Sequence, residues 1–490
     1  MTKTFKDYLD EIGEVGHVGS IVHSIVYVSG LPGARPKEMV IAEGGQRGIV
    51  QALGAEMVEV LMLDTAGLVN NLAIARTDEQ FKIPVGEGLL GRVVDAFTES
   101  IDGAGLVVGE KTARAIEPPA PGIDRRVRVN RPLETGVTIV DLLVPIGYGQ
   151  RELVIGDKKT GKTAFLLQVM ANQAKKGVIG VYVSIGKRQN DVKTVESYLR
   201  KKGVFENCVV VAATAADPAT MVYLAPYTGL AIAEFFRDTG KDVVIVFDDL
   251  TNHAKFYREI SLLLKRAPGR SSYPGDIFHL HAALLERAGN VKIPSGETVA
   301  ITALPVAETL EGDITGYIQT NLMAITDGHI FFDIDEFRKG ARPAINPALS
   351  VSRVGNQTKA PADRSLAQII REDLAKYKKA LEIARFGVEL PAATQAEIAL
   401  GEKIEVIFNQ DTESIMPRTL QLILFGLLLS GFWEGKNASL VKVDTIKLVQ
   451  KYQKGIFKDL EKQIEAVTEA QEINTLAKNY SSLITENLYV

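Results

Sequence analysis

Residues 156–163 read GDKKTGKT. Gly156, Gly161, Lys162 and Thr163 fit the pattern G-x-x-x-x-G-K-[ST], with Asp157, Lys158, Lys159 and Thr160 between them. A strand-like run, RELVI, precedes the loop, and a helix-like run beginning at Thr163 and Ala164, TAFLLQVMANQAKK, follows it. Strand, loop and helix in that order are what phosphate binding needs. Glycines let backbone N–H groups approach phosphate oxygens without side chains in the way, and the helix N-terminus adds positive partial charge. Lys162 is expected to reach the outer phosphates and the Thr163 hydroxyl to ligate magnesium. Residues 156–164 are therefore the expected cradle for Mg-ATP or Mg-ADP.

Working outward, the chain falls into three blocks. Residues 1–84 carry short β-like runs: SIVHSIVYVSG (20–30), EMVIAEG (38–44), RGIVQALG (47–54), MVEVLML (57–63) and NLAIARTD (71–78). Gly, Pro and Asn punctuate them, which predicts a small barrel or sandwich. Over 85–358 the apolar runs RELVIG, VIGVYVSIG, CVVVAATA, DVVIVFDD and TVAITALPV alternate with helical periodicity. That is the pattern of a parallel sheet covered on both faces. Over 359–490 the composition turns to Ala, Lys, Glu and Leu, as in LAQIIREDLAKYKKALEIARF (366–386), and predicts a helical bundle. The seam GNQTKAPADRS has linker composition.

With 490 residues, 46% hydrophobic and 24% charged, this is an ordinary soluble composition spread over two or three domains. The net charge of −4 supplies no basic excess for a general nucleic-acid coat. Cys208 is the only cysteine, so no internal disulfide forms, and a reducing compartment suits the chain. The N-terminal stretch MTKTFKDYLDEIGEVG is read as neither a secretory signal nor a transit peptide. The most apolar run, LQLILFGLLLSGFW (420–433), is shorter than the roughly 20 residues of a membrane helix and reads as a buried core helix.

Two further stretches bear on the chemistry. VVIVFDD (243–249) is an apolar strand ending in acid. Alone, it suits a strand-to-loop cap; beside a phosphate loop, Asp248 is expected to hold the magnesium shell, with Asp249 a weaker candidate. VSIGKRQND (183–191) follows the next strand after the phosphate-loop helix. Catalytic ATPases of this architecture carry a carboxylate there to orient the attacking water. Here Gly186 is followed by Lys187, Arg188 and Gln189. An ammonium only donates and cannot accept the proton of water. Lys187 either faces a phosphate or belongs to a solvated loop, and Glu234 and Glu308 are the core acids that could substitute.

At this point the chain resembles the alpha subunits of F-type ATP synthases, the non-catalytic nucleotide-binding partners in the rotary head. The likeness rests on GDKKTGKT, PVGEGLLGRVVD (84–95), VPIGYGQRELVIG (144–156), YLAPYTGLAIAEFFRD (223–238), PGRSSYPGDIFHLHAALLERA (268–288), ALPVAETLEGDITGYIQTNLMAITDGHIFFD (303–333) and RPAINPALSVSRVG (342–355). AETLEGDITGYIQTN and the absent glutamate after Gly186 resemble alpha rather than beta. The resemblance implies a β-barrel crown, a RecA-like nucleotide domain and a helical C-terminal domain. It implies alternating assembly with beta subunits, a central gamma stalk and a delta-type stalk cap. It also implies a peripheral place on the cytoplasmic face of a bacterial membrane, with H+ or Na+ translocation carried by another sector. Arg353, in SVSRVG, would act in trans as an arginine finger, where a planar, always-charged guanidinium suits two phosphate oxygens. Gln410, in NQDTESIMP, would flank the adenine.

The chain departs from the alpha pattern where Lys158-Lys159 replaces Arg-Gln and where Lys187 replaces Gln. The segment before GSIV is also short for the family, which bears on the delta contact. IDRRVRVNRP (123–132) holds four arginines and reads as a solvated loop or an anion patch. His279 and His281 stand two apart, do not share a helix face, and are not expected to bind metal. Two other functions fit parts of the pattern. A catalytic homohexameric secretion or flagellar-export ATPase requires Glu after Gly186. An RNA-translocating hexamer requires an aromatic and basic N-terminal platform, whereas residues 1–84 hold only Phe5, Tyr8, Tyr27 and Phe81.

Overall fold

The structure is a computed structural model and describes residues 3–385 and 390–489. It divides into two compact units. The first comprises Met1–Val127, Gly177–Glu308 and Thr315–Ile325; the second comprises Arg128–Lys176, Thr309–Ile314 and Thr326–Val490.

The first unit opens with the helix Phe5–Ile12, capped by a reciprocal Thr4–Asp7 box and ended by Gly13 in the left-handed region at φ 72°. Six antiparallel strands then close a barrel. Their order is Val15–Val22, Ile25–Ser29, Val58–Met62, Arg47–Leu53, Glu38–Ala42 and Ala73–Gln80, returning to the first. The run 20–30 is two strands rather than one. Val22 pairs with Ile25 across a tight turn at His23 and Ser24, and His23 takes φ 56°. Closure leaves no free edge. It seals a core of Val18, Val26, Val28, Val40, Val50, Val60, Met62 and Ile74. Each such side chain stabilises by roughly 1.5–3 kcal/mol on burial.

The same unit carries a stack of parallel strands. Thr298–Thr309 lies beside Val243–Asp248, followed by Ile179–Lys187, Cys208–Thr214 and Arg92–Val94. Gly289–Lys292 adds antiparallel to the first of these. The strands are apolar along both faces: Val243 to Phe247 are all 0% exposed. That is why their sequences run continuously apolar instead of alternating. The helices Gln189–Lys201, Ala219–Asp238 and Leu250–Leu263 connect them.

In the second unit Glu152–Asp157 pairs in parallel with Gly328–Phe332, and Val351–Ser352 adds antiparallel. The helix Lys162–Lys175 follows the phosphate loop. Among the described residues, seven helices from Pro361 onward build the C-terminal region. The run expected to be helical over 366–386 is the helix Pro361–Ala384, and Phe386 lies outside the described residues. The apolar run at 420–433 forms the helix Arg418–Leu429, buried from Thr419 through Leu428. Gly426 is required there: a Cβ would stand 2.8 Å from Ile473 Cγ2. Among the described residues no helix is long and apolar enough to cross a membrane.

Candidate functional site

The phosphate loop belongs to the second unit. Its bend depends on Gly156 and Gly161, at φ 154° and 103°. A Cβ on Gly156 would come 2.3 Å from the Phe332 carbonyl oxygen, so the loop also lies hard against the neighbouring strand. Asp157 anchors the loop from its first residue: its Oδ1 accepts from Thr309 Oγ1 at 2.5 Å and from the Gly312 N–H at 3.0 Å. The buried Thr160 hydroxyl donates to the Asp157 carbonyl at 2.8 Å. Lys162 is buried, and its ammonium donates to the carbonyls of Gly156 at 2.8 Å and Asp157 at 2.5 Å. Lys158, Lys159 and Thr163 are exposed, and Ala164 is half-buried. The loop thus presents two exposed lysines and a hydroxyl at the start of a 14-residue helix, a cationic surface suited to phosphate.

The acidic strand end belongs to the first unit. Asp248 and Asp249 are buried, at 4% and 0% exposure. Lys187 Nζ lies 2.9 Å from Asp248 Oδ1, 2.9 Å from Asp249 Oδ2 and 3.7 Å from Glu308 Oε1. Asp248 Oδ2 accepts from the Tyr182 hydroxyl at 2.5 Å. Asp249 also caps the following helix by accepting from the Asn252 N–H at 2.6 Å. Burial alone would push the Lys187 ammonium down. The Asp248 and Asp249 carboxylates outweigh it and hold the group above the ordinary lysine value. Asp249 is pushed up to about 6, first by burial, with Lys187 opposing and Glu308 and Asp248 adding to the rise. Lys187 is therefore a fixed cation among three acids and not a solvated loop residue. Glu234 stands elsewhere, joined to the buried Arg287 by hydrogen bonds of 2.8 and 3.1 Å. Tyr182 is a participant that sequence reasoning missed. Only the strand pairing reveals it: Ser184 registers with Asp248, and Tyr182 lies two residues upstream on the same strand.

The remaining candidates lie in the second unit. Gln410 is 3% exposed. Its Oε1 accepts from Thr138 N–H and hydroxyl, both at 3.1 Å, and its Nε2 donates to the Gly136 carbonyl at 2.6 Å and to that of Ser414. Both halves of the amide are engaged within the chain. Arg353 is exposed, and among the described residues its guanidinium has no hydrogen bond or ion pair. Its charge acts on the buried Glu152, whose carboxyl is pushed well up first by burial. Beneath it, Ser352 Oγ donates to the Pro145 carbonyl at 2.6 Å and accepts from Gly355 N–H at 3.1 Å, fixing the backbone on either side of Arg353.

Magnesium takes hydroxyl, carboxylate and phosphate oxygens, usually with one or two carboxylates and several waters rather than an all-protein cage. The Thr163 hydroxyl and the Asp248 carboxylate are oxygens of that kind. Among the described residues no group of three or more His, Cys, Asp or Glu is arranged to hold a metal ion. The buried His281 instead meets His253, Nε2 to Nδ1, at 3.1 Å.

Comparison with known proteins places two family profiles on the chain. The profile described as ATP synthase alpha/beta family, nucleotide-binding domain, matches residues 136–352. The profile described as ATP synthase alpha/beta chain, C terminal domain, matches residues 357–487. The chain is 44% identical over 409 residues to the ATP synthase subunit alpha of Limosilactobacillus reuteri, covering 83% of this chain and 80% of the relative. It is 41% identical over 475 residues to that of Levilactobacillus brevis, covering 96% and 92% respectively.

Proposed function

The chain belongs to the family of ATP synthase alpha subunits, and from that premise we propose that it holds nucleotide without turning it over and lends Arg353 to a neighbouring subunit. Residues 156–164 hold the phosphates of ATP or ADP. Thr163 and Asp248 are the residues assigned to magnesium, which when bound would neutralise phosphate charge. Gln410 flanks the adenine, its amide held by Thr138 and by the carbonyls of Gly136 and Ser414.

The observation that carries this reading is Lys187. In the position after Gly186, where a catalytic member of this architecture needs a carboxylate, there is an ammonium bound to three acids. It has no lone pair to take a proton from water. Glu308 is engaged with that same ammonium, and Glu234 is bound to Arg287. An exposed guanidinium with no ion pair among the described residues supports a role for Arg353 outside its own chain. In this reading the chain alternates with beta subunits around a gamma stalk, with a delta-type cap. It sits peripherally on the cytoplasmic face of the membrane, and ATP synthesis or hydrolysis by the assembly is coupled to H+ or Na+ movement.

The test is retention. The purified chain is loaded with radiolabelled ATP, passed through a desalting column and sampled over hours. The label is expected to stay in ATP; steady conversion to ADP by the isolated chain overturns the proposal and favours the catalytic homohexamer.

A further inference from the structure

Glu152 is wholly buried at the start of the strand Glu152–Asp157, in one row with Gly328 and Ser352 of the two strands beside it. Gly328 leaves the room: a Cβ there would come 2.6 and 2.8 Å from the two Glu152 carboxyl oxygens. One of them, Oε2, accepts from Gln150 Nε2 at 2.6 Å. The other, Oε1, is buried and has no hydrogen bond among the described residues. Gln150 Nε2 also donates to Ser352 Oγ at 3.2 Å, and Arg151 is committed to Asp327 at 2.8 and 3.1 Å. His329, on the strand of Gly328, is held low by burial and bonded to the Leu349 carbonyl.

A buried carboxyl oxygen without a donor is costly, and native chains rarely keep one. The residue after Ser352 is Arg353, whose guanidinium carries five N–H donors and has no hydrogen bond among the described residues. We propose that Glu152 is a positioning residue for Arg353, its Oε1 being the guanidinium's alternative partner on its own chain. Burial first, then the Asp327 charge, push the Glu152 carboxyl well up, against the opposing pull of Gln150 and Arg353. As a neutral acid it holds the arginine weakly, and the side chain extends. Once ionised, it draws the guanidinium inward as a charge-assisted pair. That the extended arginine serves a neighbouring site rests on the reading of Arg353 above; the pairing of the two side chains does not.

The experiment labels the isolated full-length chain with phenylglyoxal from neutral to alkaline pH. Peptide mass mapping gives the rate at Arg353 relative to that at the exposed Arg338. In the wild type that ratio should fall by about tenfold as Glu152 ionises, and in Glu152→Gln it should stay flat. A flat wild-type ratio overturns the proposal whether or not Glu152→Gln folds, as does an equal fall in both chains. Rings reconstituted with beta subunits are then assayed over the same range. Hydrolysis that declines with pH more steeply in the wild type than in Glu152→Gln supports the proposal. Parallel hydrolysis profiles beside the expected labelling leave the pairing standing and sink the trans reading of Arg353, a different result from a flat labelling ratio.

Discussion

Replacing Glu234 by Gln removes one charge from a buried pair and leaves the volume unchanged. Glu234 and Arg287 are 4% and 3% exposed. Their two hydrogen bonds, 2.8 and 3.1 Å, join the helix Ala219–Asp238 to the end of the helix Ile277–Glu286, and Arg287 also donates to the Ile116 carbonyl at 2.6 Å. Leaving a buried charge without its partner costs about 3–5 kcal/mol. Gln keeps one acceptor for Arg287, so the lower end, about 3 kcal/mol, is expected for Glu234→Gln. For a unit of this size that lowers Tm by about 5 °C. The pair replaced together by Met should recover most of the loss, because an apolar pair of similar volume has no desolvation penalty. Thermal melts and urea titrations measure the stability. Turnover of the reconstituted complex, assayed well below the melt, should be unchanged. A Glu234→Gln chain that melts like the wild type yet abolishes turnover would make Glu234 a chemical participant and refute the structural assignment.

Two other outcomes follow from packing and protonation. Burial holds His253 down at about 4, with its bond to the Tyr223 carbonyl opposing. The folded chain therefore binds fewer protons than the unfolded one between about 6.5 and 4. Stability is full above pH 6.5 and falls by about 2–3 kcal/mol toward pH 4.5; a His253→Phe chain should lose that part of the slope in urea titrations at the two pH values. Gly426→Val should cost about 2–3 kcal/mol, read as a lower urea midpoint at unchanged m, because its branches meet Ile473 and Ala477.

How much the sequence disclosed depended on whether the cause was local. The strand, tight loop and helix over 152–175 were legible because the glycine spacing marks a sharp turn between a buried strand and a helix, and the strands because continuous β-branched runs mark a two-sided sheet. The first barrel hairpin was hidden. SIVHSIVYVSG is apolar on both sides of its turn, and the turn uses His23 at positive φ instead of glycine. Lys187 was readable as a residue that cannot be a base, but not as the centre of an ion cluster. That placement depends on a bulge at Gly186 and on acids brought from 248, 249 and 308. Gln410 was singled out only by resemblance, and the residues its side chain bonds, at 136, 138 and 414, are not visible in its own stretch of sequence. IDRRVRVNRP read as a solvated loop or an anion patch, yet Arg126 donates to the carbonyls of Glu286 and Ala288. Composition cannot name a helix end more than a hundred residues away.

Arg353 is where the account is most exposed. The decisive measurement is steady-state ATP hydrolysis by a ring reconstituted from beta subunits and either wild-type chain or Arg353→Ala, with the nucleotide content of this chain quantified in both. The account predicts turnover lower by about 10³-fold or more, in line with other arginine fingers, with nucleotide on this chain unchanged. Equal turnover in the two rings, or nucleotide lost from this chain with the arginine, would contradict it.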